Sequence, residues 1–162
     1  MTVVSIFAII AVALFLAAFF SKRRFGLLGL ALTAGATLAN IWSYDAGLLV
    51  SATGLIPDGP MTHAVSLSLV TLLPAVLLFF NGRTYKKLLP RLFGSLLFMV
   101  LAVAFLIEPI GYVLPLEGVG AQVYQWLKDN RDLIISIGVA LAVVDVLFTK
   151  SARKHDKESK KK

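Results

Sequence analysis

The sequence predicts an all-α, polytopic membrane protein with five transmembrane helices and one short interfacial amphipathic helix. Three observations predict it. Of the 162 residues, 58% are apolar and 15% charged, and the mean hydropathy is +0.84. Apolar runs long enough to cross a bilayer recur along the chain. The basic residues gather in three clusters that alternate with those runs, the pattern that orients helices in a membrane. A soluble domain of this length shows more polar surface. Cysteine is absent, so there are no disulfides and no thiolate metal sites. The net charge of +7 would point to nucleic acid in a soluble protein. Its placement here is explained by orientation in a bilayer, and no specific nucleic-acid partner is expected.

The spans follow in order. Residues 3–20 carry one Ser and no charge, and 18 residues at the helical rise reach roughly 27 Å, enough for a thin bilayer core. No positive charge precedes this run and Lys22-Arg23-Arg24 follows it, which favours a retained helix over a signal peptide. Residues 25–44 form the second span, closed by Trp42 and Tyr44 as interface anchors. Within it Ala31, Gly35 and Ala39 recur every four residues and make a candidate helix-packing face. Residues 46–61 are apolar but too short to cross and end in Pro57-Asp58-Gly59-Pro60. They read as a shallow re-entrant or interfacial element, or as an extension of the second helix.

The third span, 62–80, contains Pro74, which removes a backbone donor and should kink it. Then comes a basic turn, Asn81 to Arg91, with Arg83, Lys86, Lys87 and Arg91 and no acidic residue. The fourth span, 92–114, is interrupted late by Glu108-Pro109. Leu116 to Asn130 places Val119, Val123, Trp126 and Leu127 on one helical face, with Gln122, Gln125 and Asp129 on the other, as in an interfacial helix. Residues 133–149 form the fifth span and close a single transmembrane domain, 1–149. The tail, 150–162, holds seven basic residues in thirteen.

Charge sets the orientation. With the basic turn inside, fourteen of sixteen Lys and Arg fall on the inner side, leaving only Lys128 and Arg131 outside. Six of nine acidic residues fall on or near the outer side: Asp45, Asp58, Glu108, Glu117, Asp129 and Asp132. Five spans, with the N-terminus outside and the C-terminus cytoplasmic, satisfy all three basic clusters at once. A bacterial cytoplasmic membrane is the expected location.

Two stretches carry a family resemblance. The first is Ser21-Lys22-Arg23-Arg24-Phe25-Gly26 and the apolar run to Ala39. The second is Lys87-Leu88-Leu89-Pro90-Arg91-Leu92-Phe93-Gly94 and on to Phe98. Both resemble the bacterial colicin V production protein family of small inner-membrane proteins, over roughly residues 1–115. Arg91 and Gly94 match its Arg followed by Gly at the start of the fourth helix. Arg24-Phe25-Gly26 has the family's Arg-Gly-Phe residues in another order, and the acidic residue many members carry in that turn is missing. The family usually has four spans, so a fifth would be an addition. The resemblance implies a role in an envelope or export process, with no chemistry attached.

No catalytic site is expected. No Walker-type loop, Gly-x-Ser-x-Gly elbow or His-Glu-x-x-His helix occurs, and His63 and His155 stand apart from any second ligand. No cofactor or metal is expected. Asp145 is the sharpest single residue, because a carboxylate inside a span costs a few kcal/mol. It is read as a proton or cation site or a polar contact to another helix, against pairing with Lys150 or Arg153 near the headgroups. Glu108 is read likewise, as the wall of a polar pocket or as the mark of a helix break beside Pro109. The expected partners are the lipid bilayer, a membrane-protein partner or second copy, and anionic headgroups at the tail, where each basic residue adds on the order of 1 kcal/mol. The expected function is a non-enzymatic scaffold or accessory component. The alternative is a transporter or channel subunit using an intramembrane carboxylate.

Overall fold

The computed structural model describes residues 3–54, 56, 59–80, 85, 88–111, 113 and 118–159. These form helices and connecting turns, with no strand among the described residues. The helices are α1 (Val3–Ser21), α2 (Phe25–Ile41), α3 (Ser43–Ala52), α4 (Pro60–Phe80), α5 (Leu88–Gly111), α6 (Gly118–Asp129) and α7 (Arg131–Ser159). By length and composition α4 and α5 can each cross a membrane, and α2 with α3 makes a third crossing if the bent pair is one span. The apolar part of α1, Ser5–Ser21, is shorter.

Lipid tails are as apolar as leucine, so such helices are held together by close packing and polar ties more than by hydrophobic burial. The packing centres on α5. Phe98, Leu101, Ala102 and Phe105 lie buried together with Phe25, Leu28 and Leu32 of α2 and Ala142 of α7. Phe79 of α4 meets Phe98 edge-on, with ring centroids 5.7 Å apart. A smaller cluster joins Phe7 of α1, Ile107 of α5 and Tyr124 of α6.

Small residues set the closest approach. Ala31, Gly35 and Ala39 are all buried, and α2 packs along α4. A Cβ on Gly35 would collide with the backbone carbonyl of Thr71 and stand 3.1 Å from Cδ of Pro74. The two backbones therefore meet where Pro74 interrupts the hydrogen bonding of α4. This face is occupied by a helix of the same chain.

Three elements differ from the sequence expectation. The second span does not run straight to Tyr44: it leaves helical geometry at Trp42 (φ −101°, ψ 18°), and α3 departs at 83°. Trp42 serves both helices, its N–H donating to Leu38 O and its carbonyl accepting from Ala46 N–H, each at 2.8 Å. With both backbone groups satisfied the bend leaves neither unpaired, and α3 then packs on α4. Second, Glu108-Pro109 does not break α5, which continues to Gly111. Pro109 removes one N–H donor and crowds the carbonyl four residues back, yet helical geometry carries on for two more residues. Third, the side of α6 that faces the bundle is Gly120, Tyr124 and partly buried Leu127, whereas Val123 and Trp126 are exposed. The apolar arc is wide enough to pack along one edge and present the other outward. The backbone of α7 carries the helix into the tail as far as Ser159.

Candidate functional site

Polar side chains gather at the two ends of the bundle. At one end, α1 stops at Ser21, whose hydroxyl donates to Ala18 O at 2.9 Å. Lys22 then reverses the chain with φ 57°, and α2 begins at Phe25. The first N–H groups of a helix have no partner within it. Here two of them find side chains from distant segments. Phe25 N–H donates to Tyr85 Oη at 3.1 Å, and Gly26 N–H donates to Asp145 Oδ2 at 2.9 Å. Asp145 is thus a polar contact to another helix. A Cβ on Gly26 would stand 2.7 Å from Ala142 O and 2.9 Å from Asp145 Oδ2, so only glycine lets α7 come this close.

The arginines at this end do the complementary work at helix C-termini. Arg23 donates from Nε to Phe79 O at 3.0 Å and from Nη2 to Phe80 O at 2.9 Å, closing α4. Arg91 donates from Nε to Phe19 O at 2.6 Å near the end of α1, with its guanidinium 3.8 Å above the Phe19 ring. An acid at a helix start and guanidinium groups at two helix ends are the signs that the helix dipoles favour. Tyr85 is held by its own N–H donating to Lys22 O at 2.8 Å. Its ring lies against Gly94 and under Arg24, 5.6 Å away. Burial pushes the Tyr85 phenol above its usual value of 10.0; Asp145 adds to this, while the Phe25 bond and Arg24 oppose it. Of the basic turn, Arg83, Lys86 and Lys87 lie outside the described residues and Arg91 within them.

At the other end, Glu108 Oε2 pairs with Arg131 Nη2 at 2.7 Å. The pair stands in the wall of a polar cavity of about 260 Å³ between α2, α4, α5 and α7. Asn40, Ser43, His63 and Thr71 supply the rest of its polar lining. A second cavity of about 230 Å³ lies against the same pair and adds Tyr124 and Lys128. The Nε of Arg131 is buried with no hydrogen-bond partner among the described residues. No group of three or more His, Cys, Asp or Glu that could hold a metal ion occurs among the described residues.

Sequence reasoning singled out Asp145, Glu108, Ala31, Gly35, Ala39 and Arg91; Asp145, Glu108, Gly35 and Arg91 each meet a residue of another helix, and Ala31 and Ala39 are buried. It missed Tyr85, Gly26 and the partner of Glu108. That last was within reach, because a carboxylate in an apolar run needs a cation and only Lys128 and Arg131 lie outside the three basic clusters. Tyr85 carried no such signal. The chain matches no protein-family model, no curated protein and no solved structure. Fold and sites together define a class: a helical bundle with helices able to cross a membrane, tied at one end by side-chain caps and hollowed at the other by a polar cavity.

Proposed function

We propose that the protein is a non-enzymatic membrane component, a scaffold or accessory subunit of an envelope or export process similar to that of colicin V production proteins. In this reading five spans cross a bacterial cytoplasmic membrane, with the Arg23 end cytoplasmic and the Glu108 end outside. The observation that carries it is the surface of α4. Leu69, Leu73, Val76 and Phe80 are exposed at spacings of four, three and four residues, as are Ile137, Leu141, Val144 and Phe148 of α7; lipid or the matching row of another helix can cover such a stripe. The other face of α4 is already spent on α2, and Asp145 is engaged at the start of α2.

Gentle extraction from native cells followed by mass spectrometry tests this. A stoichiometric membrane-protein partner, or a homo-oligomer disrupted by a Leu73→Trp variant, supports it. A monomer at every protein concentration, with no partner, removes it. The orientation is tested separately by single cysteines, since the chain has none of its own. Ser159→Cys should react only from the cytoplasmic side and Asp129→Cys only from outside.

A second reading, a transporter or channel subunit, is favoured by one observation. Glu108 lines a polar cavity between helices, so the carboxylate this reading would use is Glu108 in place of Asp145. Loss of flux in Glu108→Gln, with Asp145→Asn retaining flux in proportion to folded protein, would select it.

A further inference from the structure

We propose that Lys22 and Arg91, at the junction of α1 and α5, bind the phosphate of an anionic phospholipid. The site rests on the chain spanning a membrane and not on the scaffold reading, since a lipid can settle on a scaffold and a transporter alike.

One carbonyl brings the two residues together. Phe19 O accepts from the backbone N–H of Lys22 at 3.3 Å and from Arg91 Nε at 2.6 Å. The guanidinium also stacks 3.8 Å above the Phe19 ring, so two contacts hold it. Its remaining N–H groups, on Nη1 and Nη2, have no acceptor among the described residues, and neither nitrogen is buried. That open edge is the fork that grips a phosphate through two parallel hydrogen bonds. A fork already held in place loses little freedom on binding. Lys22 adds a second charge. It is exposed, at a φ of 57°, and neither it nor Arg91 forms an ion pair among the described residues.

The neighbouring charges are already committed. Arg23 closes α4, and Asp145 holds Gly26 N–H. Two uncompensated cations therefore stand side by side, and the ligand that balances them is an anion. Arg91 also lies in the first turn of α5, which holds no acidic residue and where the helix dipole favours negative charge. What carries the anion follows from the adjoining surface. Phe20, Leu88 and Leu92 are exposed within one turn of the pair, and Leu16 and Leu96 continue that apolar surface along α1 and α5. A free phosphate gains nothing from these side chains, whereas the acyl chains of a phospholipid lie along them. A zwitterionic headgroup brings its own ammonium towards the two cations and is disfavoured.

The test titrates the full chain in detergent with dioleoyl phosphatidylglycerol or dioleoyl phosphatidylcholine, and native mass spectrometry reads the lipid bound. Phosphatidylglycerol should bind tighter by about fivefold or more. Lys22→Asn removes the charge, suits the positive φ and keeps the backbone bonds to Phe19 O and from Tyr85 N–H. It should weaken phosphatidylglycerol about fivefold and leave phosphatidylcholine unchanged. Arg91→Lys keeps the charge but loses the fork, and should weaken phosphatidylglycerol by about threefold or more. Thermal unfolding checks that this variant is folded; should it fail to fold, Lys22→Asn carries the test. Equal affinity for the two lipids overturns the proposal, as does wild-type phosphatidylglycerol binding in Lys22→Asn. So does a preference that survives Lys22→Asn and is lost when Lys160, Lys161 and Lys162 of the tail are all changed to Gln. Displacement of the lipid by inorganic phosphate at equal concentration would mark a free-phosphate site and also overturns it.

Discussion

The carboxylate of Asp145 and the backbone N–H of Gly26, 119 residues apart in the chain, are hydrogen-bonded at 2.9 Å. Helix caps are ordinarily local, supplied by the residue just before the helix. Here Arg24 occupies that position and its side chain makes no cap hydrogen bond. The cap comes from α7 instead, and it ties the last long helix to the second. In a bilayer, where apolar burial does little to hold helices together, such a tie fixes which helices are neighbours.

Replacing Asp145 tests that tie. Asp145→Ala should destabilise by about 1–2 kcal/mol, the range measured for lost N-caps, and Asp145→Asn by less because the amide oxygen still accepts. At about 2–4 °C per kcal/mol for a chain of this size, thermal unfolding in detergent resolves both. An unchanged midpoint for Asp145→Ala would mean that the contact contributes nothing.

The glycines offer a sharper contrast. Gly26→Ala places a methyl 2.7 Å from Ala142 O, and backbone there cannot yield without parting α2 from α7. A loss of about 2 kcal/mol or more is expected, at the upper end for overpacking. At Gly47, within α3, an added Cβ would meet nothing within 4 Å. Gly47→Ala should therefore be neutral or stabilise by up to about 1 kcal/mol through helix propensity. Equal effects of the two substitutions in a melting experiment would contradict the packing described.

Arg91→Lys separates charge from geometry. Lysine keeps the positive charge that orients the chain but lacks the planar group lying 3.8 Å over Phe19 and the Nε bonded to Phe19 O. Cysteine labelling should show an unchanged orientation, while the unfolding midpoint falls by the equivalent of about 1–2 kcal/mol. A variant with inverted orientation and unchanged stability would reverse the assignment.

Tyr85 should be visible in a pH titration. Its phenol is raised above 10.0, chiefly by burial, so the folded state holds the proton more tightly than the unfolded one. The sign follows from linkage: this contribution to stability is complete below pH 10 and is lost as the pH climbs from 10 through the folded value. The ultraviolet phenolate signal of Tyr85 should therefore appear above pH 10. Tyr85→Phe should remove a phenolate component that titrates above pH 10, and a curve unchanged in that range would show that the Tyr85 phenol is not raised.

The helical class, the apolar stretches, the basic junctions and the costly polar residues are all legible along the chain. Each of these is local: apolar run length, charge position and proline or glycine placement act within a few residues. Pro74 inside α4 and the small-residue row Ala31, Gly35 and Ala39 were legible for that reason. Which helix meets which is set by packing. The 83° turn at Trp42 depends on α3 finding α4, and no residue in 40–46 announces it. Gly26 reads as an ordinary membrane-helix glycine until α7 lies against it. Asp145 and Glu108 were both visible as anomalies, yet one caps a helix start and the other pairs with Arg131 in the wall of a cavity. Their chemistry is the same carboxylate, and its use is set by which donor the packing brings within 3 Å. That is a property of helix arrangement, which periodicity along the sequence does not encode.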